Sequence, residues 1–215
     1  MSNTFDDARF WDRAAAKYAA SPITDMSGYQ RTVDRTRELL SISDTVLEIG
    51  CGTGTTALKL APNVFRLIAT DVSSGMIAIA QRKAEAEGCR NVEFAVTAAN
   101  DAPGSDAAFD AVLAFNLLHL IADRRTTLAL IRRALKPGSL FISKTPCISE
   151  MNPLIRYAIP IAQLVGKAPH VSCFSASELE ADIEASGFTI VESARHGSQR
   201  KDARIFIVAQ NRPAS

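Results

Sequence analysis

Three glycines at alternate positions, Gly50, Gly52 and Gly54, follow a short apolar run and form the segment of this sequence best suited to hold a ligand. Glycine allows backbone angles that a Cβ forbids, and it lets a ligand approach the chain closely. Thr55 can then begin a helix, whose free N–H groups and positive dipole end favour a negatively charged or carboxylate-bearing ligand. The expected unit is a strand, a glycine loop and a helix around a nucleotide-type ligand.

The spacing of the glycines distinguishes between two classes of nucleotide-type ligand. The dinucleotide fingerprint G-x-G-x-x-G requires glycine where Thr55 stands. The observed G-x-G-x-G, with Glu48 two residues before it, resembles the first motif of class I S-adenosylmethionine-dependent methyltransferases. The resemblance implies that the loop, Cys51 included, holds the methionine end of the cofactor, and that Glu48 fixes the loop and, in many members, meets the cofactor's ammonium. A glycine turn without a ligand is the alternative.

Asp71 follows a second apolar run, residues 65–70, which is predicted to be a buried strand. An acid at the carboxyl end of such a strand can accept hydrogen bonds from both ribose hydroxyls. The run that begins at Asp71 resembles the family's second cofactor motif. This implies that Asp71 binds the ribose and that Val72 and Met76 contact adenine. The alternative is an aspartate that caps the following helix.

The segment after the third predicted strand, residues 92–96, departs from the family pattern. Many members have Gly-Asp-Ala there, with the aspartate on the adenine amino group, whereas Ala98 occupies that position here. Adenine would then be met by backbone amides or by Asn100 or Asp101. Ala99 and Asn100 are the cofactor-binding candidates of this segment.

The fourth predicted strand, residues 109–115, leads into a short polar segment. In the family, residues at this point face the sulfonium and the acceptor, which implies roles for Asn116 and Leu117. His119 is a candidate general base, because an unperturbed imidazole titrates near neutrality; a structural histidine is the alternative. Methyltransferases acting on exocyclic amino groups of nucleobases or on glutamine typically carry Asn-Pro-Pro-Tyr here, and only the asparagine is kept.

Large apolar residues at helical spacing predict two helices before the first strand, at residues 5–20 and 29–40. Trp11, Asp12 and Tyr18 resemble the W-D-x-x-A-x-x-Y opening of many small-molecule methyltransferases. The resemblance implies that these helices cover the cofactor and help close the acceptor pocket, with Tyr18 as a second catalytic or positioning candidate. The alternative is that the aromatic rings only pack the helix onto the sheet.

The least familiar segment spans residues 146–174. A largely apolar helix with Pro160 inside it is predicted at residues 152–165, too short to span a bilayer. It is interpreted as a lid over a hydrophobic acceptor, while a core helix, a dimer contact and a membrane-surface contact stay open. Cys147 as a nucleophile, or as a zinc ligand with His170 and Cys173, is disfavoured by the missing motifs and metal spacing. No metal is predicted.

The amino-acid composition limits which partners and which cellular compartment are expected. The 215 residues include 24 basic and 23 acidic side chains, a net charge of +1, which gives no overall reason to expect a nucleic-acid partner. A polar amino terminus and four scattered cysteines favour a cytoplasmic protein with reduced thiols. Oligomeric state stays open.

Alternating strands and helices predict one α/β domain, a three-layer α/β/α sandwich. The resemblance implies a seven-stranded mixed sheet in the order 3-2-1-4-5-7-6. Four segments are distinguished within it: an N-terminal helical cap (1–44), a cofactor-binding core (45–145), an acceptor lid (146–174), and a C-terminal helix and hairpin (175–215).

The predicted function is methyl transfer from S-adenosylmethionine to a small molecule, by displacement at the sulfonium. Such a reaction chiefly requires positioning of the acceptor and exclusion of water. An NAD-binding oxidoreductase is disfavoured by Thr55 and by the lack of a Tyr-x-x-x-Lys pair. A non-enzymatic cofactor-binding module stays open, as do the identity of the acceptor and of its methylated atom.

Overall fold

The computed structural model describes residues 4–101, 106–151, 153–164, 168–198 and 202–212. The α-helices in these ranges are α1 (Thr4–Ala20), α2 (Met26–Leu39), α3 (Thr55–Leu60), α4 (Ser74–Glu87), α5 (Arg124–Ala134), α6 (Pro153–Leu164) and α7 (Ala176–Ala185). The strands are β1 (Thr45–Ile49), β2 (Arg66–Asp71), β3 (Val92–Val96), β4 (Phe109–Phe115), β5 (Leu135–Pro146), β6 (Phe188–Ala194) and β7 (Arg204–Asn211).

The strands form one seven-stranded sheet in the order β3-β2-β1-β4-β5-β7-β6, which confirms the predicted topology. Strands β1 to β5 are parallel, and β7 is antiparallel to both of its neighbours. The carboxyl ends of the parallel strands therefore meet at one edge of the sheet. Because β7 runs the other way, its first residues lie at that same edge.

Alternate residues of the central strands face opposite layers of helices. Leu47 and Ile49 pack in a cluster that includes residues of α5 and α7, whereas Val46 packs in a cluster with residues of α2, α3 and α4. All three strand residues are almost fully buried. A strand buried on both faces explains the continuous apolar runs of the sequence, and the three-layer α/β/α prediction is confirmed.

Local signals set most of the element ends. Gly88, with φ of 64°, ends α4 in the left-handed conformation, and the Asp123 carboxylate accepts from the Thr126 N–H at the start of α5. Three predicted starts were wrong. Phe65 lies outside β2 and is 68% exposed, and α2 begins at Met26 rather than residue 29 because Asp25 caps it. Strand β5, predicted at residues 140–143, begins at Leu135, which pairs with β4 before a register shift.

Helix α6 has Pro160 inside it, as predicted. The lid side chains Ile155, Tyr157, Ile161 and Leu164, together with the predicted helix ends at 152 and 165, lie outside what the structure describes. Within the described ranges, no helix combines the length and the apolar character needed to cross a membrane.

Candidate functional site

The glycine loop joins β1 to α3 at the carboxyl edge of the sheet. The N–H groups of Gly50 and Cys51 both donate to the carbonyl oxygen of Thr70, at 2.7 and 2.9 Å, which ties the loop to β2. Gly50, Gly52 and Gly54 have φ of 71°, 54° and 73°. These positive angles strain residues that carry a Cβ, so the loop conformation explains the glycine spacing.

The environment of each glycine differs. A Cβ on Gly54 would come within 2.8 Å of the Ala80 Cβ and of the Phe94 ring, so this glycine permits close packing of the loop against α4 and β3. A Cβ on Gly52 would meet only the Tyr18 ring, at 3.9 Å. Gly52 is therefore the position where the backbone is most open to a ligand, while a ligand contact at Gly54 stays a prediction.

Asp71 links the loop to the second cofactor segment. Its two carboxylate oxygens accept from the N–H groups of Gly52 and Ser73, each at 2.9 Å. Burial raises the pKa of Asp71, although both hydrogen bonds oppose the shift. The cap of α4 is Ser73, whose hydroxyl accepts from the Met76 N–H, so the capping alternative for Asp71 is wrong. The Val72 N–H also interacts with this carboxylate, and because a carboxylate has about four lone-pair sites, acceptor capacity remains for a ligand.

A first cavity, about 310 Å³ in volume, opens at the ends of β1, β2 and β4. It collects most of the predicted cofactor residues: Gly50, Gly52, Asp71, Val72, Met76, Ala99, Asn100, Asn116 and Leu117. Ala98 also lines it. The Asn100 side-chain oxygen accepts from the Thr127 hydroxyl at 2.6 Å, which leaves its amide N–H groups available to a ligand.

Glu48 is buried on the β1 face toward α2 and α3, below the glycine loop. Burial, with a smaller contribution from Asp71, raises the pKa of Glu48 to about 8, so the free protein holds it as a neutral acid at pH 7. Its Oε2 has no hydrogen-bond partner among the described residues. An unsatisfied buried oxygen is costly, and a cationic group at the loop would satisfy it. Glu48 and Gly54 are the predicted cofactor residues that line neither cavity.

A second cavity, about 550 Å³ in volume, adjoins the first. The residues that line both cavities are Trp11, Tyr18, Phe115, Asn116 and Leu120. Cys51 and His119 line the second cavity only. Burial raises the pKa of the Cys51 thiol, so this residue stays uncharged. The shared wall means that ligands in the two cavities would meet beside Asn116.

Asn116 stands in a strained conformation at this junction. Its φ is 52°, a region that asparagine tolerates better than most residues. Its backbone N–H donates to the Lys144 carbonyl oxygen at 2.7 Å, which fixes the end of β4 against β5. Strain of this kind is concentrated at ligand sites.

Tyr18 lines both cavities, whereas His119 lines the second cavity alone. Burial, and then the charge of Arg204, lowers the pKa of His119 to about 4, so the imidazole is neutral at pH 7. Its buried Nδ1 has no hydrogen-bond partner within the described ranges. Burial and the Asp71 charge raise the pKa of Tyr18, which therefore stays a neutral phenol. Its ring packs edge-to-face on Trp11, with centroids 6.2 Å apart.

Helix α1 is fastened over this site by a residue whose role sequence reasoning missed. The Asp12 carboxylate accepts from the Ser73 hydroxyl at 2.6 Å and from the Gly75 N–H at 2.9 Å. These bonds lower the pKa of Asp12 and join α1 to the start of α4. The W-D motif contained this signal.

Two basic residues of the second cavity were also missed. Lys144, buried on β5, donates from Nζ to the Thr32 hydroxyl at 2.9 Å, and burial lowers its pKa. Arg204 is the first residue of β7 and is exposed. A lone lysine near the end of an apolar strand was the available signal for Lys144.

The structure does not assemble the disfavoured cysteine sites. Cys147 is fully buried, and burial raises the pKa of its thiol to about 11, which removes the thiolate that nucleophilic attack requires. In the described ranges, no three His, Cys, Asp or Glu side chains are grouped to hold a metal, so Cys147, His170 and Cys173 remain apart.

Residues 46–138 match the family described as a methyltransferase domain. The O-methyltransferase resE of Aspergillus sclerotiorum is 30% identical over 154 residues, which cover 71% of this chain and 57% of that relative. The chain spans about half the length of such relatives, since its match to the O-methyltransferase rstn1 of Aspergillus nomiae covers 43% of that protein.

Solved structures share the fold. The YcgJ protein of Bacillus subtilis superposes with a TM-score of 0.71 at 20% identity, covering 86% of this chain and 100% of that one. A phosphoethanolamine N-methyltransferase of Haemonchus contortus, solved with S-adenosylhomocysteine, gives 0.77 at 17% identity, covering 99% and 60%. The match over residues 46–138 identifies this core as a methyltransferase domain, and the sheet order and the solved structures show that it has the class I, Rossmann-like fold.

Proposed function

We propose that this protein transfers a methyl group from S-adenosylmethionine to a small molecule. One observation carries the proposal: the first cavity, which collects the predicted cofactor residues, adjoins a larger second cavity across a shared wall at Asn116. A methyl donor in the first cavity would then face an acceptor in the second. The volume of the second cavity, about 550 Å³, lies in the range typical of small-molecule sites.

The residues fit the proposed cofactor. Gly52 offers open backbone, the Asp71 carboxylate offers its remaining acceptor capacity to the ribose hydroxyls, and the unsatisfied Oε2 of Glu48 favours a cation near the loop. Transfer forms a bond from the acceptor atom to the methyl carbon, breaks the carbon–sulfur bond with its electron pair left on sulfur, and releases the acceptor's proton. The remaining task of the protein is to orient the acceptor and exclude water.

His119 and Tyr18 serve this proposal as positioning groups. A histidine whose pKa is about 4 is a weak base, so we assign removal of the acceptor's proton to water. The free Nδ1 of His119 would form a hydrogen bond with the acceptor. The neutral hydroxyl of Tyr18 can reach ligands in either cavity. An α6 lid over the second cavity stays a prediction, because the described side chains of α6 do not line that cavity.

The cofactor assignment is tested by calorimetry with S-adenosylhomocysteine and with NAD. We expect binding of the first and not of the second; the opposite result would refute the proposal and favour an oxidoreductase. Cofactor binding without turnover on any acceptor would favour a binding module.

The ribose role of Asp71 needs a sharper design, because Asp71 also holds the loop through Gly52. We expect Asp71→Asn to weaken S-adenosylhomocysteine binding by about tenfold or more, the loss of one good charge-assisted hydrogen bond. An analogue without the two ribose hydroxyls should lose much less affinity on the same substitution. Equal losses for the two ligands would show that Asp71 acts through the loop alone. Glu184→Gln, at an exposed residue of α7, is the matched control.

A further inference from the structure

The second cavity carries an excess of positive charge. Lys144 and Arg204 line it together with one carboxylate, that of Asp25. Its one histidine, His119, is neutral at pH 7. The described ionisable side chains of this cavity therefore leave it one positive charge in excess at neutral pH.

The sheet register brings the two cations together. In the antiparallel pairing of β5 with β7, Lys144 lies opposite Phe206 and Pro146 lies opposite Arg204. Lys144 and Arg204 are thus diagonal neighbours, and alternation places both on the same face of the sheet as Phe206, which packs in the cluster with α2. Arg204 is close enough to Lys144 for its charge to lower the lysine pKa.

Neither cation is neutralised by an ion pair within the described ranges. Lys144 Nζ donates to uncharged acceptors, the Thr32 hydroxyl at 2.9 Å and the Gly28 carbonyl oxygen at 3.4 Å. Both oxygens of Asp25 are already engaged, by the Gly28 N–H and by the N–H and hydroxyl of Ser198. The charges of Asp202 and Asp25 act on Lys144 without forming an ion pair with it, and they oppose the effect of burial on its pKa. Burial is the larger effect, so an anionic ligand in contact with the ammonium would stabilise it.

Apolar walls complete this cavity. Aromatic and aliphatic side chains line this cavity together with the two cations; they are Trp11, Tyr29, Phe115, Leu120, Ile148 and Met151. Because the Asn116 N–H is bonded to the Lys144 carbonyl oxygen, the cationic pair and the junction are adjacent on the sheet edge.

We propose that the acceptor is a small aromatic or aliphatic molecule carrying a carboxylate, which Lys144 and Arg204 bind while its nucleophilic atom points to the junction. This inference rests on the proposed function. It assigns Lys144 and Arg204 as specificity residues for an acidic acceptor, with the buried ammonium on one side of the anion and the exposed guanidinium at the mouth.

The test compares hydroxylated aromatic acids with their uncharged primary amides. Binding of 4-hydroxybenzoate, 4-hydroxyphenylacetate and 4-hydroxycinnamate, and of the three amides, is measured by ligand-observed NMR and thermal shift on protein saturated with S-adenosylhomocysteine. We expect at least one acid to bind tenfold or more tightly than its amide. The proposal is overturned if no acid is preferred to its amide.

Variants locate the preference. Arg204→Gln should reduce the preference for acid over amide to threefold or less without changing S-adenosylhomocysteine affinity. The control Arg90→Gln, at an exposed arginine after α4, should change neither the preference nor that affinity. Lys144→Met, if the variant folds, should also reduce the preference for acid over amide. A preference that survives Arg204→Gln also overturns the proposal. Failure of S-adenosylhomocysteine to bind the wild type would instead refute the proposed cofactor.

Discussion

The packing of Gly54 predicts a large loss of stability on substitution by alanine. Its φ of 73° costs about 1–2 kcal/mol for a residue with a Cβ. The new Cβ would also lie 2.8 Å from the Ala80 Cβ and 2.8 and 2.9 Å from two Phe94 ring carbons, and overpacking of this kind costs about 1–3 kcal/mol. We expect Gly54→Ala to lower the free energy of unfolding by roughly 2–5 kcal/mol.

Two other glycines separate these contributions. Gly88 has φ of 64°, and a Cβ added there would meet no heavy atom within 4 Å, so Gly88→Ala should show the backbone cost of about 1–2 kcal/mol alone. Gly52→Ala, at φ of 54°, should lose a similar amount of stability. Its Cβ would enter the first cavity, however, so only this variant should combine near-normal folding with at least a tenfold loss of S-adenosylhomocysteine affinity.

Urea unfolding followed by circular dichroism measures the three free energies, and calorimetry measures ligand affinity. A chain of this length shifts its melting temperature by about 2–4 °C per kcal/mol, so thermal scans will rank the variants. If Gly54→Ala is no less stable than Gly88→Ala, the packing explanation of Gly54 is wrong. If Gly52→Ala binds ligand normally, the first cavity does not hold the ligand at the loop.

Three further expectations concern α1 and the buried ionisable groups. Asp12→Ala should lower the free energy of unfolding by about 1 kcal/mol and speed release of S-adenosylhomocysteine several-fold, because the bonds from Asp12 to Ser73 and Gly75 hold α1 over both cavities. Asp6→Ala is the control, and an unchanged release rate in Asp12→Ala would contradict this role of Asp12. The raised pKa of Glu48, about 8 against an ordinary 4.5, means that the native state keeps a proton which the unfolded chain loses. Stability relative to Glu48→Gln should therefore fall as pH rises from about 4.5 towards 8, by at most about 1.4 kcal/mol per pH unit, and a rise would refute the assignment. Methyl transfer should show no step near pH 6.5 from His119, whose pKa of about 4 keeps it neutral; a step there that His119→Gln abolishes would restore its role as a base.

The sequence was most informative where one residue type satisfies a local requirement. Gly50, Gly52 and Gly54 have backbone angles that a Cβ strains, so their spacing identified the loop. Continuous apolar runs such as residues 111–114 identified strands buried on both faces. These features are local, and they predicted the strands and the loop that lines the first cavity, whereas the order of the strands in the sheet came from the family resemblance.

The acceptor side could not be predicted in the same way, because its walls come from residues far apart in the chain. Lys144 and Arg204 become neighbours only through the register of β5 and β7. The sequence suggests ordinary pKa values for Glu48 and His119. In the fold, chiefly because of burial, the pKa of Glu48 is raised and that of His119 is lowered. Burial at a particular site is a property of the packed fold.

The reversed direction of β7 brings a residue from near the end of the chain to the sheet edge where the glycine loop also lies. The glycine loop and Asp71, which precede residue 102, would recognise a donor shared by many enzymes, whereas the start of the last strand at Arg204 reaches the compartment where the recipient would bind. Arg204 lines only the second cavity, whereas residues 205–209, which follow it in β7, are buried in the core. A substitution at Arg204 alone would therefore change the proposed recipient compartment and leave the proposed donor compartment as it is.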